Sequence, residues 1–308
     1  MTSREIDDKI LNTIEKLSDP NSFDVVCHEH RLGEPLPSMA KLKSIIDICR
    51  EIIFPGYFGN TSLRPNATKH YLGVYIDELY ELLNEEVLAG MCFECKDRNK
   101  TKLKTHTKLA REISTEFIEN LPEIRRKLVA DVNATYLNDP AARNIGEVIF
   151  CYPGIRAITN YRLANLLLKL KVPLIPRFMT EMAHSETGLD IHPKAEIGES
   201  ITIDHGTGVV IGSTSIIGNN VKIYQGVTLG AKSFPLDENG NPIKGIPRHP
   251  IVEDNVVIYS GATILGRITI GKNSVIGGNV WITGNVPPNS KIIQSFPKEQ
   301  SFFNGTGI

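Results

Sequence analysis

This chain has little that points to a membrane or a polyanion. Its 308 residues contain no apolar run near the roughly 20 residues that cross a bilayer. The N-terminal segment Met1–Ile6 is polar rather than a signal sequence. The formal net charge is -1, which predicts no bias toward nucleic acid or anionic surfaces. We therefore expect a cytoplasmic protein with no nucleic-acid or membrane partner.

Cysteine is also scarce. The five cysteines are an odd number and are scattered along the chain, which fits a reducing compartment better than a disulfide framework. Cys92 and Cys95 have the spacing of half a zinc site, but no second pair completes it, and two free thiols are the favoured interpretation. Hydrophobic residues make up 41% and charged residues 22%, as in ordinary globular proteins, and the length allows two domains.

What the chain does have is a ladder of six-residue steps between Asp190 and Val286. A branched aliphatic residue recurs at Ile191, Ile197, Ile203, Ile211, Ile217, Ile223, Leu229, Val252, Ile258, Ile264, Ile270, Ile276 and Ile282. A helix repeats its apolar face every 3.6 residues and a flat strand every two, so neither explains this period. Hexapeptide repeats are typical of parallel β-helices, with the aliphatic residue pointing inward and glycine or asparagine at the turns.

The preceding sequence predicts helices instead. Apolar residues at helical spacing follow Ile6, Ser38, Val74, Leu109 and Gly154, with Ser38 as an N-cap and a break expected at Pro122. The charged stretch Lys96–Lys108 is interpreted as a solvated linker. The predicted fold class is α+β: a helical N-terminal domain over 1–185, then a left-handed parallel β-helix over 186–293. An arm over 231–250 projects from the coil, and 294–308 is a flexible tail.

The ladder is interrupted at two places that carry chemistry. Two extra residues fall between Ile203 and Ile211 and must bulge outward, carrying the Asp204–His205 pair between glycines. Stacking one coil below places Asp190 near this bulge, where its carboxylate could hold one ring nitrogen of His205 and leave the other as a base. A structural hydrogen bond is the ordinary alternative for such a pair.

The second interruption is the arm, which returns to the ladder through Arg248 and His249. Arginine suits bidentate recognition of a carboxylate, although a solvated loop end is also consistent with this sequence. In the helical region, Asp139 lies in a polar turn, where local sequence favours a capping role.

Motifs of this ladder, taken in order and spacing, closely resemble serine O-acetyltransferases, a family of left-handed β-helix hexapeptide acyltransferases. The resemblance covers about Asp139 to Pro288 and rests on the segments Ala183–Ser185, Thr187–Pro193, Ile203–Gly208, Tyr224–Ala231 and Arg248–Pro250. It implies acetyl transfer from acetyl-CoA to the L-serine hydroxyl, giving O-acetyl-L-serine for cysteine synthesis. No metal is implied.

The resemblance also assigns roles to individual residues. His205 matches the general base and Asp190 its orienting carboxylate. Asp139 and Asp204 match the acids that hold the serine ammonium, so that Asp139 changes from a capping residue to a substrate ligand. Arg248, with His249 beside it, matches the clamp on the serine carboxylate. Backbone contacts to the pantetheine arm of coenzyme A are expected at Ala231, Ser260, Gly261 and Gly278.

Partners follow from the same resemblance. The family forms homotrimers, often paired into hexamers through the N-terminal helices, with sites between neighbouring coils. Its C-terminal isoleucine, matched here by Ile308, often enters the active site of O-acetylserine sulfhydrylase.

Three other functions are weighed against this one. A hexapeptide acetyltransferase with a sugar acceptor would need neither Arg248 nor Asp139. A metal hydratase of the γ-carbonic anhydrase type would need His192, His205 and His249 to converge on zinc. A non-catalytic scaffold would use the tail as a docking peptide.

Overall fold

A computed structural model describes residues 2–23, 26, 35–59, 67–95 and 100–295. The chain divides into two compact units, Met1–Pro35 and Leu36–Ile308. In the first unit, helix α1 (Ser3–Ser18) is followed by the short α2 (Pro20–Phe23). Thr2 and Glu5 form a capping box at the start of α1. No helix in the described ranges is long and apolar enough to span a membrane.

The second unit begins with helices. They are α3 (Met39–Ile53), α4 (Thr68–Glu94), α5 (Lys100–Glu119), α6 (Leu121–Asn138), α7 (Ile145–Cys151), α8 (Pro153–Lys169) and α9 (Ile175–Thr187). The predicted N-cap at Ser38 is confirmed, because its hydroxyl accepts a hydrogen bond from the Lys41 amide. The predicted break is also confirmed, since α5 ends one residue before Asn120 and Pro122 lies in the first turn of α6.

The prediction of a solvated linker over Lys96–Lys108 is wrong from residue 100 onward, where α5 has already begun. The second half of α5 is anchored by buried Ala110, Ile113 and Phe117. Once a helix is nucleated, each added residue gains a hydrogen bond, so a charged, exposed face does not stop it from extending toward the N-terminus.

Helix α9 leads directly into the predicted β-helix, which is confirmed. Its strands are β1 (Asp190–Ile191), β2 (Glu196–Ile197), β3 (Thr202–Asp204), β4 (Val210–Ile211), β5 (Ile216–Ile217), β6 (Lys222–Tyr224), β7 (Thr228–Gly230), β8 (Ile251–Val252), β9 (Val257–Ile258), β10 (Thr263–Leu265), β11 (Thr269–Ile270), β12 (Val275–Ile276), β13 (Trp281–Ile282) and β14 (Lys291–Ile292). They form three parallel walls. The first wall is β1-β4-β7-β10-β13, the second β2-β5-β8-β11, and the third β3-β6-β9-β12-β14.

The ladder residues stack as the hexad pattern predicts. Ile191 lies in register with Ile211, and Ile211 with Leu229, so equivalent aliphatic side chains repeat one coil apart. Most of them are almost fully buried, for example Ile264 at 0% exposure. Burial of roughly 0.8 kcal/mol per methylene makes this stack the main source of stability of the coil.

The walls meet along three edges, which we name after His205, Arg248 and a row of asparagines. The His205 edge joins the third wall to the first (205–209, 225–227, 259–262 and 277–280), and the Arg248 edge joins the first to the second (192–195, 212–215, 231–250 and 266–268). The remaining Asn edge carries Asn220, Asn255, Asn273 and Asn289, all with φ between 54° and 60°. The side-chain amides of the first three each donate to the next asparagine along the edge. Asparagine tolerates this left-handed conformation better than most side chains.

The helices and the coil share one hydrophobic core. A buried ion pair lies where they meet: Arg162 of α8 donates to both carboxylate oxygens of Asp131 in α6, at 2.7 and 3.0 Å. Asp131 also accepts from the Ile201 amide, and Arg162 donates to the Gly198 carbonyl. Both charges are therefore satisfied, and they fix α6 and α8 against the start of β3.

Candidate active site

His205 lies at the outward bulge that the sequence predicts. It follows β3 with a φ of 57°, and its side chain is 75% exposed. The Gly206 amide donates to the Asp204 carbonyl at 2.6 Å, which closes a tight turn around the imidazole. His205 Nε2 lies 3.8 Å from Asp204 Oδ1, while that carboxylate is only 18% exposed. An imidazole and an acid are thus held side by side at the surface of the coil.

Asp139 belongs to the same group of residues, although it comes from the end of α6. Its Oδ2 accepts a hydrogen bond from the Tyr152 hydroxyl at 2.6 Å, and its Oδ1 accepts from the Ala141 amide at 2.8 Å. These two hydrogen bonds lower the pKa of Asp139, and the positive charge of Lys222 and the nearby His205 lower it further. The N-cap of the next helix is Asn144, so Asp139 does not cap the helix that follows it.

Two contacts bring the end of α6 and the start of α8 to the coil. Lys222 of β6 donates to the Asn138 carbonyl at 2.9 Å. The first turn of α8 approaches β3 so closely that a Cβ at Gly154 would collide with the Ile203 carbonyl oxygen. Because only glycine fits there, the start of α8 lies directly beside the strand that carries Asp204.

Arg248 and His249 lie elsewhere, on the Arg248 edge. Thr214 holds this turn: its hydroxyl accepts from the Arg248 and His249 amides and lies 2.8 Å from His249 Nδ1. Burial and the adjacent Arg248 charge lower the pKa of His249 to about 4, so its imidazole is neutral. His192 is lowered to a pKa of about 4 as well, by burial and by the charge of Arg177.

The Arg248 guanidinium faces a cavity of about 520 Å³ beneath the arm. Phe234 of the arm lies 5.6 Å from the guanidinium carbon, and Lys194 and Lys244 add positive charge to the lining. The Arg248 Nε is buried and has no hydrogen-bond partner in the described structure. A buried donor without an acceptor is costly, so this atom is suited to receive an anionic ligand.

The predicted contact between Asp190 and His205 is not formed within the chain. Asp190 is in register with Val210, and its Oδ1 lies 3.8 Å from Arg177 Nη1. No hydrogen bond or ion pair in the described part of the chain joins Asp190 to His205. His205 precedes Val210, the residue in register with Asp190, by five positions. The role of Asp190 as an orienting acid remains a prediction.

Residues proposed to contact coenzyme A also divide between the two edges. Ser260, Gly261 and Gly278 lie on the His205 edge, whereas Ala231 lies at the base of the arm on the Arg248 edge. Gly208, Gly226 and Gly261 stack along the His205 edge with φ of 76°, 72° and 69°. A Cβ at Gly226 would lie 3.4 Å from the Gly261 backbone, so no side chain lies between these two glycines. Such a surface lets an extended ligand approach the backbone.

Sequence reasoning missed three tyrosines at this site. Tyr152 holds Asp139, as described above. Tyr224 lies one coil above Asp204, and its ring stacks on that of Tyr259 with centroids 4.9 Å apart and an interplanar angle of 12°. For Tyr224 and Tyr259 a signal was present, because they share one hexad position in consecutive third-wall strands. Nothing in local sequence indicates the contact of Tyr152.

The zinc site of a hydratase is not formed within one chain. His205 lies on one edge and His192 and His249 on another, so the three imidazoles do not converge within the chain. Within the described ranges, the residues close enough to share a metal ion are Glu181, His184 and Asp190. Arg177 already pairs with Glu181 and Asp190 and supplies the positive charge there.

A left-handed β-helix of hexapeptide repeats, with an imidazole at an outward bulge, defines an acyltransferase of the hexapeptide class. The bacterial transferase hexapeptide family (six repeats) matches residues 249–284. A plasmid serine acetyltransferase of Synechococcus elongatus is 50% identical over 306 residues, which covers 97% of this chain and 95% of the relative. The chain therefore belongs to the serine acetyltransferase family.

Solved structures agree with this family. Serine acetyltransferase 1 of Entamoeba histolytica in complex with L-cysteine has a TM-score of 0.71 and 34% identity, with 91% of this chain and 94% of that chain covered. The Neisseria gonorrhoeae serine acetyltransferase in complex with serine has a TM-score of 0.54 and 25% identity, with 83% and 97% covered.

Proposed function

We propose that this enzyme transfers the acetyl group of acetyl-CoA to the hydroxyl of L-serine, giving O-acetyl-L-serine for cysteine biosynthesis. The observation that carries the proposal is the meeting of Asp139, Asp204 and His205 at one exposed position, although Asp139 comes from a helix and the others from the coil. Two carboxylates beside an imidazole suit an acceptor that has an ammonium group next to a hydroxyl. Complexes of relatives with serine and with L-cysteine support the same class of ligand.

In the proposed reaction, His205 is the general base. Its imidazole removes the hydroxyl proton as the serine oxygen attacks the thioester carbonyl. The negative charge that develops on the carbonyl oxygen is stabilised by nearby donors. When the tetrahedral intermediate collapses, the carbon–sulfur bond breaks and the same imidazole returns the proton to the leaving thiolate. The reaction requires no metal ion.

Arg248 binds the serine carboxylate in this proposal. Its buried Nε lacks an acceptor, and a carboxylate would supply one. The neutral His249 beside it adds a polar contact without adding charge. The pantetheine arm of coenzyme A lies along the His205 edge, at Ser260, Gly261 and Gly278.

We further propose that the site is completed between chains of a homotrimer. The residues that bind the ammonium and the hydroxyl lie on the His205 edge, and those that bind the carboxylate lie on the Arg248 edge. Because the first wall separates these edges in one chain, one serine molecule reaches both groups only if the His205 edge of one chain faces the Arg248 edge of another. The same arrangement brings Ala231 of a neighbouring chain toward the His205 edge. Pairing of trimers into hexamers is left open.

The contact with O-acetylserine sulfhydrylase through Ile308 also remains a proposal. The described coil ends with β14 and a few residues beyond it, and Gln294 donates to the Asn279 carbonyl at 2.5 Å. Ile308 and the rest of the tail after residue 295 lie outside the described residues.

A thiol-release assay tests the proposed reaction. Acetyl-CoA should be consumed with L-serine, and much less with threonine, homoserine or a sugar. The variant His205→Ala should lose at least roughly 100-fold in activity, as expected for removal of a general base. His70→Ala, which removes an exposed imidazole on α4, is the matched control and should retain activity. Undiminished turnover in His205→Ala, or acetylation of the sugar alone, would contradict the proposal, and stoichiometric zinc would favour the hydratase.

A further inference from the structure

We propose that Tyr152 is a positioning residue for acceptor binding: its hydroxyl fixes the Asp139 carboxylate so that the free side of that carboxylate faces the ammonium group of the acceptor. This inference rests on the proposed function, because it takes an amino acid with a free ammonium as the acceptor. It assigns a role in substrate affinity to a residue of the helical region, outside the hexapeptide ladder.

The geometry of the carboxylate carries the argument. Each oxygen of Asp139 accepts one hydrogen bond, from the Tyr152 hydroxyl at 2.6 Å and from the Ala141 amide at 2.8 Å. Two fixed donors on different oxygens remove the rotation that an aspartate at the end of a helix would otherwise have. Each oxygen keeps a free lone pair, so the carboxylate can still accept from an ammonium group.

The position of Tyr152 is itself fixed. Tyr152 caps α8, and the glycine two residues later presses the start of this helix against the Ile203 carbonyl. Asp204, the next residue, lies close enough that its charge raises the pKa of the Tyr152 hydroxyl. The tyrosine therefore lies near the second carboxylate of the proposed ammonium site while it donates to the first.

Protonation favours the same arrangement at neutral pH. The hydrogen bond to Asp139 raises the pKa of Tyr152 to about 12, so its hydroxyl remains a donor. The same bond lowers the pKa of Asp139, so the carboxylate remains an anion. One hydrogen bond thus maintains both the charge and the direction of the group that would meet the ammonium.

A second tyrosine provides the matched control. Tyr161 of α8 also donates a 2.6 Å hydrogen bond from the helical region to the coil, but its acceptor is the backbone carbonyl of Ala195. This contact is buried and involves no residue of the proposed site. Tyr161→Phe therefore removes a comparable structural contact without touching the ammonium site.

The test compares Tyr152→Phe, Tyr161→Phe, Asp139→Asn and the double variant Tyr152→Phe/Asp139→Asn, with KM for serine, KM for acetyl-CoA, kcat and Tm measured for each. We expect Tyr152→Phe to raise the KM for serine roughly 10-fold, as for loss of a hydrogen bond to a charged group, with KM for acetyl-CoA and kcat nearly unchanged. Tyr161→Phe should lower Tm and leave both KM values unchanged.

The double variant decides whether Tyr152 acts through Asp139. If it does, adding Tyr152→Phe to Asp139→Asn changes the KM for serine less than about twofold, because the interaction is already lost. Full additivity of the effects of the two substitutions on the KM for serine would overturn the inference. An equal rise in the KM for serine and for acetyl-CoA in Tyr152→Phe would also overturn it. Absence of serine acetylation in the unaltered enzyme would instead refute the proposed function, so the two failures are distinguishable.

Discussion

Mixed assemblies of two inactive variants should recover activity if the site is built between chains. His205→Ala removes the proposed general base from the His205 edge, and Arg248→Ala removes the proposed binding residue for the serine carboxylate from the Arg248 edge. Each variant alone should retain about 1% of activity or less, as typical for loss of a base or of a charge-assisted contact. When both are expressed together, some interfaces pair the intact His205 edge of one chain with the intact Arg248 edge of its neighbour.

The size of the recovery follows from the arrangement in a ring. In a cyclic trimer each interface joins the His205 edge of one chain to the Arg248 edge of the next. Random assembly from equal amounts gives the right chain at each of the two positions half of the time, so about one quarter of the sites are intact. Trimers purified through a different tag on each variant contain both kinds of chain and hold one intact site in three, or about a third of the activity. Activity per trimer, measured by thiol release with serine and acetyl-CoA, is the readout.

A same-edge mixture is the control. Asp139 and His205 lie in one group of one chain, so mixing His205→Ala with Asp139→Asn chains creates no intact site. That mixture should show only the average of its two parents. If the mixture of His205→Ala with Arg248→Ala also shows only the average of its parents while doubly tagged trimers are present, the inference of a site between chains is refuted.

Three further predictions test the framework, one of them with a matched control substitution. Asp131→Ala leaves the Arg162 guanidinium buried without its partner and should lower the free energy of unfolding by about 3–5 kcal/mol in denaturant titration. Gly261→Ala places a Cβ against Asn279 at a φ of 69° and should destabilise the coil by about 1–2 kcal/mol and raise the KM for acetyl-CoA. Gly240→Ala has a similar φ in open space on the arm and should leave that KM unchanged. His249, with a folded pKa of about 4 against its ordinary 6.5, stabilises the fold fully above pH 6.5. This contribution, on the order of 3 kcal/mol, is lost as the pH falls toward 4, and His249→Gln should reduce that acid-induced loss in thermal unfolding. A pH dependence unchanged by His249→Gln would contradict this assignment.

The coil could be predicted from sequence because its interactions repeat locally. Every sixth residue points into the same core, so the positions of Ile191 to Ile282 identify the inward face without knowledge of distant contacts. The extra residues before Ile211 likewise predict the bulge and the exposure of His205. The extent of α5 was not predictable from its charged first turns, because packing of its second half determines where it begins.

The site was predicted less completely. Hexad counting placed Asp190 beneath His205. Such counting gives the coil on which a residue lies, but not the position of that residue within a distorted turn. Asp139 appeared as a turn residue in its local sequence, and only the resemblance assigned it a ligand role. The proximity of Asp139 to His205 depends on the contact of Lys222 with the Asn138 carbonyl and on that of Gly154 with Ile203. The local sequence around Asp139 does not predict these contacts.

The sequence by itself determined the three-walled coil, since a six-residue period of aliphatic side chains has few other ways to bury them. It also determined which imidazole, that of His205, stands out from that coil. Only the tertiary structure decided that the Asp139 carboxylate joins this imidazole, because its position depends on how α6 and α8 pack against β3. Such packing comes from single long-range contacts, among them the Asp131–Arg162 pair, that no local period encodes.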